Sequence, residues 1–296
     1  MADKKRPILT VLVILGVIAL FLGGVMIFII KMVDPVSDLS FAAKIGIIPI
    51  EGAILDSQTI TSQLIRFRKD NRIKAIVLRI NSPGGAVGPT QDIYREIKRT
   101  VRIKKVVASL GGVAASGGYY IAAATHKIVA NPGTITGSIG VVMEFVRFEE
   151  LLGKIGVDLV VRKSGEFKDI GSPHRELTDR DREIIDALIA DIQGQFVDAV
   201  AGGREIPIEK VNQIADGRIF SGARAKELNL VDALGNFQDA VDVAKEMAAI
   251  EGDVSLVYPT KSRMELWEIF LEGTGNSICR IVQGIKPQLA YKWGGL

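Results

Sequence analysis

The sequence holds a single cysteine, Cys279, and only two histidines, His126 and His174. One thiol excludes an internal disulfide and a cysteine-built metal site, and leaves a packed or interfacial residue. Two histidines do not furnish a histidine-rich metal centre. They also leave little of the usual base for an activated serine. His126 opens a strand and reads as structural or exposed; His174 sits in a loop as a possible site neighbour. Basic blocks are lacking as well. The net charge of +3 is carried by Lys4, Lys5, Arg6 and Lys31 against Asp3, and the remaining 33 basic residues balance 33 acidic ones. That balance argues against nucleic acid as a partner. Internal repeats and low-complexity segments are absent.

What the chain does have is one long apolar run. Ile8 to Ile30 carries no charge over 23 residues. As a helix it would span about 34 Å, against a hydrocarbon core of roughly 30 Å. Three basic residues precede it and one follows closely, which places the N-terminus in the cytoplasm and the chain beyond about residue 35 outside. A cleaved signal peptide is the rival reading. Its apolar region would be shorter and followed by a small-x-small site, whereas this run ends in Ile29-Ile30-Lys31-Met32. The expectation is an uncleaved anchor, 8–30, after a cytoplasmic tail, 1–7, and before a linker, 31–43, that includes Pro35. Gly23-Gly24 is a weak signal for helix pairing.

Beyond the linker, strands alternate with helices. Lys44–Glu51 and the apolar run Ala75–Ile80 read as strands. Pro89–Arg99 reads as a helix. Lys105–Leu110 is expected to be a strand ending in a glycine turn, followed by a helix over Ala115–Ala124. Ile128–Ala130, Gly140–Met143 and Leu159–Arg162 are expected strands, with a helix over Phe148–Ile155 between the last two. This alternation argues an α/β fold with much parallel pairing. The second half reads as helical. Thr178 and Asp181 match a capping box ahead of a stripe of Ile184, Ile185, Leu188, Ile189, Ile192 and Phe196, expected to be core. Helices follow over Ser221–Leu228, with Asn229 in a left-handed terminus, and over Phe237–Met247. Met264–Leu271 and the isoleucines at 278, 281 and 285 leave three sites open for the tail: the domain, a partner subunit or a membrane surface.

Three short segments carry chemistry. In Gly111-Gly112-Val113-Ala114-Ala115-Ser116-Gly117-Gly118, small residues surround one serine at a strand-to-helix junction. Such a junction can present the hydroxyl in a cleft, with the following amide aimed at the same space. Taken alone, tight helix packing explains the small residues too. Asn81-Ser82-Pro83-Gly84-Gly85 ends a strand and can supply an amide to an oxyanion hole; taken alone, it is a plain turn. Ser164-Gly165-Glu166-Phe167-Lys168-Asp169 holds a lysine that can act as a base only if its pKa falls from about 10.4 toward 7–8. Such a fall is roughly 4 kcal/mol and requires a dry site or a neighbouring cation.

In this order the three segments resemble signal peptide peptidase A of serine peptidase family S49. SPGG at 82–85, ASGGYY at 115–120, TGSIG at 136–140, KDIGSP at 168–173 and FSGARAKELNLVD at 220–232 carry the resemblance over about residues 44–250, with Asn229 where glycine is usual. It implies a Clp protease/crotonase-like α/β fold behind an N-terminal transmembrane helix. It implies Ser116 as nucleophile, Lys168 as base, Ser138 as the serine that orients the lysine, and oxyanion amides from Gly84, Gly85 and Gly117. It implies no metal or other cofactor. The implied substrates are signal-peptide remnants at a bacterial inner membrane, with the catalytic domain on the extracytoplasmic side. The implied assembly is a homo-oligomer, an octamer, whose sites are shared between adjacent subunits. The extension 251–296 matches poorly and takes no role. Three rivals remain: a related membrane peptidase with other substrates, an inactive scaffold, and an acyl-CoA enzyme of the crotonase group, which shares the fold.

Overall fold

The computed structural model describes residues 14–25, 43–259 and 289–292. The chain divides into two compact units, Met1–Phe41 and Ala42–Leu296. In the first, residues 14–25 form helix α1. Its large apolar side chains face outward, Leu20 at 79% and Phe21 at 70% exposure. The rest of the 8–30 run lies outside the described residues, as do Pro35, Cys279 and the 260–288 part of the tail. Among the described residues no helix is long and apolar enough to cross a membrane.

The second unit is built on a sheet. Its strands are β1 (Ala43–Glu51), β2 (Ile73–Ser82), β4 (Lys105–Ala115), β5 (Lys127–Ala130), β9 (Ala233–Leu234) and β10 (Val254–Val257). They lie in the order β10-β1-β2-β4-β5-β9, and every neighbouring pair is parallel. Parallel strands are covered on both faces, which is why β1 and β2 are nearly continuous in apolar residues. Successive side chains part to opposite faces. Ile76, Leu78 and Ile80 enter one core, with Ile93, Tyr120 and Phe196. Ala75 and Val77 enter the other, with Val107, Val129 and Val241. The first face is covered by α2 (Gln58–Lys69), α3 (Val87–Thr100), α4 (Gly117–Ala122) and the long α6 (Asp179–Arg204). The second is covered by α9 (Phe237–Met247).

β4 differs from the sequence expectation. Gly111-Gly112 is not a turn; the strand runs on to Ala115. It pairs with β5 as far as Leu110 and then with β6 (Ile135–Gly137) from Val113. The glycines mark this exchange of partners, where a Cβ on Gly111 would lie 3.0 Å from Asn81. The side-chain carbonyl of Asn81 accepts from the Val113 amide at 3.2 Å. Leu159–Arg162 is not a strand either. No edge among the described residues pairs with it, and Leu159 and Val160 are left 57% and 80% exposed. Short helices α5 (Glu149–Lys154), α7 (Ile208–Asn212) and α8 (Gly222–Glu227), and strand β8 (Ile219–Ser221) antiparallel to β6, also belong to this unit.

A second, three-stranded sheet is antiparallel throughout. In it β11 (Leu289–Lys292) lies between β3 (Gly84–Ala86) and β7 (Val142–Met143). Of the α6 stripe, Ile185, Ile192 and Phe196 are buried as expected, but Ile184 and Leu188 remain about two-fifths exposed, at 42% and 39%. The capping box of Thr178 and Asp181 forms in both directions. Asn229 is left-handed, φ 61°.

Candidate active site

Ser116 stands between the end of β4 and the start of α4, with φ 52° and ψ −118°. A non-glycine residue held at positive φ is strained by about 1–3 kcal/mol, and it persists only where its surroundings fix it. They do so here. The Ser116 amide donates to the carbonyl of Gly137 at 2.8 Å, and the Ser116 carbonyl accepts from the Tyr120 amide at 2.8 Å. Two aromatic side chains hold α4 itself. Tyr119 is fully buried and its hydroxyl donates to the carbonyl of Leu230 at 2.8 Å. Tyr120 lies 4.9 Å, ring to ring, from both Tyr94 and Phe196. Burial pushes the Tyr120 hydroxyl pKa up to about 12, so it stays protonated. In the sequence these tyrosines close the ASGGYY motif with no role of their own; in the fold they fasten the turn that carries the serine.

The Ser116 hydroxyl is buried, and no described residue hydrogen-bonds it. A buried hydroxyl left so costs about 1–3 kcal/mol. Strain and an unmet hydroxyl at one residue are what a nucleophile turn looks like.

Two loops flank this serine. In the first, Gly84 has φ 99° and its amide donates to Ser82 Oγ at 3.1 Å. The Gly84 carbonyl accepts from the Ile54 amide, and the Ala86 amide donates to the Ile54 carbonyl. Groups alternate along an extended strand, so the amide and carbonyl of Gly85 face the opposite edge. Gly117, at the first position of α4, has an amide with no intrahelical acceptor. In the second loop, Gly137 and Ser138 take φ 77° and 51° in succession, and the Ser138 amide donates to the Arg218 carbonyl at 2.9 Å. Ser138 is buried and lines a cavity of about 520 Å³ with Val142, Ile189, Gln193 and Asp216. The side-chain oxygen of Gln193 is buried and has no hydrogen-bond partner among the described residues.

Lys168 is placed differently. It lies in a 3₁₀ turn, Glu166–Asp169, and is exposed. Its neighbours are tied down while its own amine makes no hydrogen bond or ion pair with a described residue. Asp169 pairs with Lys163 and Arg175, each at 2.8 Å, and Arg175 reaches Asp181 at 2.5 Å. Arg180 pairs with Glu166 at 2.7 Å and lies 5.1 Å over the Phe167 ring. The turn is thus stapled to the start of α6. Within one chain, Ser116 and Lys168 form no hydrogen bond.

Two sequence profiles match the chain: that of peptidase family S49 over residues 98–251 and that of Clp protease over residues 34–134. A Synechocystis sp. protein provisionally named a protease is 46% identical over 71% of this chain and 76% of its own length. An Enterococcus faecium protein provisionally named signal peptide peptidase SppA is 30% identical, covering 81% of this chain and 74% of its own. The chloroplastic serine protease SPPA of Arabidopsis thaliana is 32% identical over 84% of this chain and 38% of its own. The chain belongs to peptidase family S49. It is a protease of mixed α/β architecture with a Clp-like central sheet.

In this S49 protease neither histidine hydrogen-bonds Ser116. The His126 ring accepts at Nδ1 from the Val106 amide at 3.1 Å. Val106 lies ten residues down β4 from Ser116, roughly 30 Å at about 3.3 Å per residue. Burial, helped by Lys105, holds the His126 pKa below its ordinary value. His174 is hydrogen-bonded to Ser172 Oγ at 2.6 Å.

Two outcomes follow from this geometry. A Cβ on Gly85 would sit 2.1 Å from the Ile54 carbonyl oxygen, so Gly85→Ala must displace the loop. Thermal unfolding should show a loss of about 2 kcal/mol, the cost of overpacking, and peptide cleavage should fall further than stability alone explains. A Gly85→Ala chain with ordinary cleavage would show that this edge is not part of the site. The second concerns acid. The hydrogen bonds from Arg175, and then from the Thr178 amide, pull the Asp181 pKa from 3.8 to about 2. The carboxylate is the form the fold favours. Its support is therefore complete above about pH 4 and disappears as pH drops toward 2. Protection of amides 178–182 against exchange, relative to the intrinsic rate at each pH, should fall over that interval, and in Asp181→Asn it should be low at both ends of it.

Proposed function

We propose that this chain is a membrane-anchored serine endopeptidase with a Ser116–Lys168 pair, acting on apolar peptides such as signal-peptide remnants. The observation that carries it is the buried hydroxyl of Ser116, without a partner among the described residues, on a strained strand-to-helix turn. In the proposed reaction the lysine amine, neutral at the start, takes the Ser116 proton as Oγ attacks the scissile carbonyl. The amides of the Gly84–Gly85 turn and of Gly117 face the developing oxyanion. Gly84 would leave Ser82 Oγ for it, since a charged acceptor binds roughly twice as strongly as a neutral one. The lysine then protonates the leaving amine, and water resolves the acyl-enzyme.

An exposed lysine cannot be a neutral base, so Lys168 must be buried by something else. We assign that to a neighbouring subunit. Lys168 of the partner subunit would enter the cavity beside Ser138, where the Ser138 hydroxyl and the Gln193 side-chain oxygen are acceptors for it. The exposed Leu151, Ile155, Leu159, Val160, Ile184 and Leu188 supply apolar surface for such an assembly, with an octamer expected. The outward apolar face of α1 supports the anchor, with the N-terminus inside and the protease unit outside. The full chain in detergent should cleave an apolar signal-sequence peptide and leave an unrelated charged peptide intact. Indifference to both would favour a scaffold.

A further inference from the structure

Tyr119 and Arg204 come from different helices and grip the same loop, residues 229–232. Tyr119 stands in the first turn of α4, three residues after Ser116, and its buried hydroxyl donates to the Leu230 carbonyl at 2.8 Å. Burial pushes its pKa up, so it stays a donor. Arg204 ends α6, and its side chain is only 6% exposed. Its guanidinium donates to the Asn229 carbonyl at 3.3 and 3.2 Å and pairs with Asp232 at 2.8 Å. The loop is itself fixed to its surroundings. The Leu230 amide donates to the Ala225 carbonyl of α8 at 2.8 Å, and the Asp232 amide to the Ile128 carbonyl of β5 at 2.9 Å. The Asp232 carboxylate accepts from the Ile128 amide at 2.8 Å. The end of α6 also abuts the end of α4, where a Cβ on Gly203 would lie 2.0 Å from the Ala123 carbonyl oxygen.

We propose that Tyr119 and Arg204 are positioning residues for Ser116, acting through the loop 229–232. The proposal rests on the serine-peptidase reading above. Ser116 is held at a strained φ of 52°, and α4 has only six residues, so a small rotation of α4 would relax the turn. That rotation would swing Ser116 Oγ and the Gly117 amide together. Tyr119 opposes it by tying the first turn of α4 to a post on β5. Arg204 keeps the post in place, by holding the carbonyl just before Leu230 and the carboxylate just after Val231. A displacement of about an ångström at the reacting atoms can cost about a hundredfold in rate. Partial loosening should therefore lower kcat while the edges that bind peptide, and with them KM, change little.

The test is the full chain in detergent with an apolar peptide substrate, comparing wild type, Tyr119→Phe and Arg204→Ala. Tyr119→Phe keeps the ring and loses only the hydroxyl. In both variants kcat per site titrated with a fluorophosphonate should fall about tenfold, with KM within about twofold of wild type, and labelling of Ser116 should slow by a similar factor. A cavity of about 710 Å³ lies beside Arg204, lined also by the exposed Glu205, Lys210 and Asn229. Guanidinium can therefore enter the space that Arg204→Ala leaves, and about 20 mM of it should raise kcat there at least about threefold, with no gain in wild type or Tyr119→Phe. Side chains needed only for stability would lower the melting temperature and leave kcat per titrated site unchanged well below melting. That result, or an Arg204→Ala chain indifferent to guanidinium, would overturn the positioning role. If wild-type Ser116 takes no fluorophosphonate, the serine-nucleophile reading beneath it fails instead.

Discussion

Ser116→Ala should lose peptide cleavage by at least about a thousandfold while its melting temperature holds or rises slightly. The two halves of this result have separate causes. The hydroxyl is buried and has no hydrogen-bond partner among the described residues, so its removal breaks none of their bonds and relieves a desolvation cost. Alanine still occupies φ 52°, so the strained turn keeps its shape and its anchors, the Gly137 carbonyl and the buried Tyr119 and Tyr120. A variant that is equally stable, equally assembled and inactive points to chemistry. One that retains cleavage would place the nucleophile elsewhere. Ser116→Gly makes a useful companion, because glycine accepts positive φ freely; it should be the more relaxed of the two and just as inactive.

Lys168→Ala should be comparably inactive and no less stable, since the side chain is exposed and makes no hydrogen bond or ion pair with a described residue. The shared-site arrangement adds a distinctive result. In a one-to-one mixture of Ser116→Ala and Lys168→Ala subunits, reassembled together, a site is complete when an intact serine meets an intact lysine across an interface. Random assembly with a repeated head-to-tail interface puts that at about a quarter of sites, so about a quarter of wild-type activity should return. Mixed assemblies, verified by mass, that stay inactive would confine each site to one chain. Lys168→Ala with ordinary activity would move the base to another group, and His174, now bonded to Ser172, is the next to try.

The strand-rich half of the fold was legible because parallel strands buried on both faces leave continuous apolar runs. Lys44–Glu51 and Ala75–Ile80 were placed correctly, short by a residue or two at their ends. Where the reading failed, long-range pairing decided. Gly111-Gly112 has the composition of a turn, yet it is strand because β6 takes over from β5 along β4. Leu159–Arg162 has strand composition but no partner among the described residues. Ile184 and Leu188 fit the helical stripe but fall at its edge and remain partly exposed. The serine turn was visible as a run of small residues. The details that single it out were not: the positive φ, the Gly137 bond and the lack of a partner for Oγ among the described residues exist only once residues 82, 116 and 137 are brought together. β11 was beyond reach for the same reason, since nothing local to residues 289–292 announces the edges of Gly84–Ala86 and Val142–Met143.

One measurement reaches the chemistry itself: treat the full-length wild-type chain with a fluorophosphonate, digest it, and find the modified residue by mass spectrometry. If Ser116 is the activated nucleophile, the adduct falls on Ser116 alone and forms far more slowly in Lys168→Ala. An adduct on another serine, or labelling of Ser116 at the same rate without Lys168, would contradict a Ser116–Lys168 peptidase.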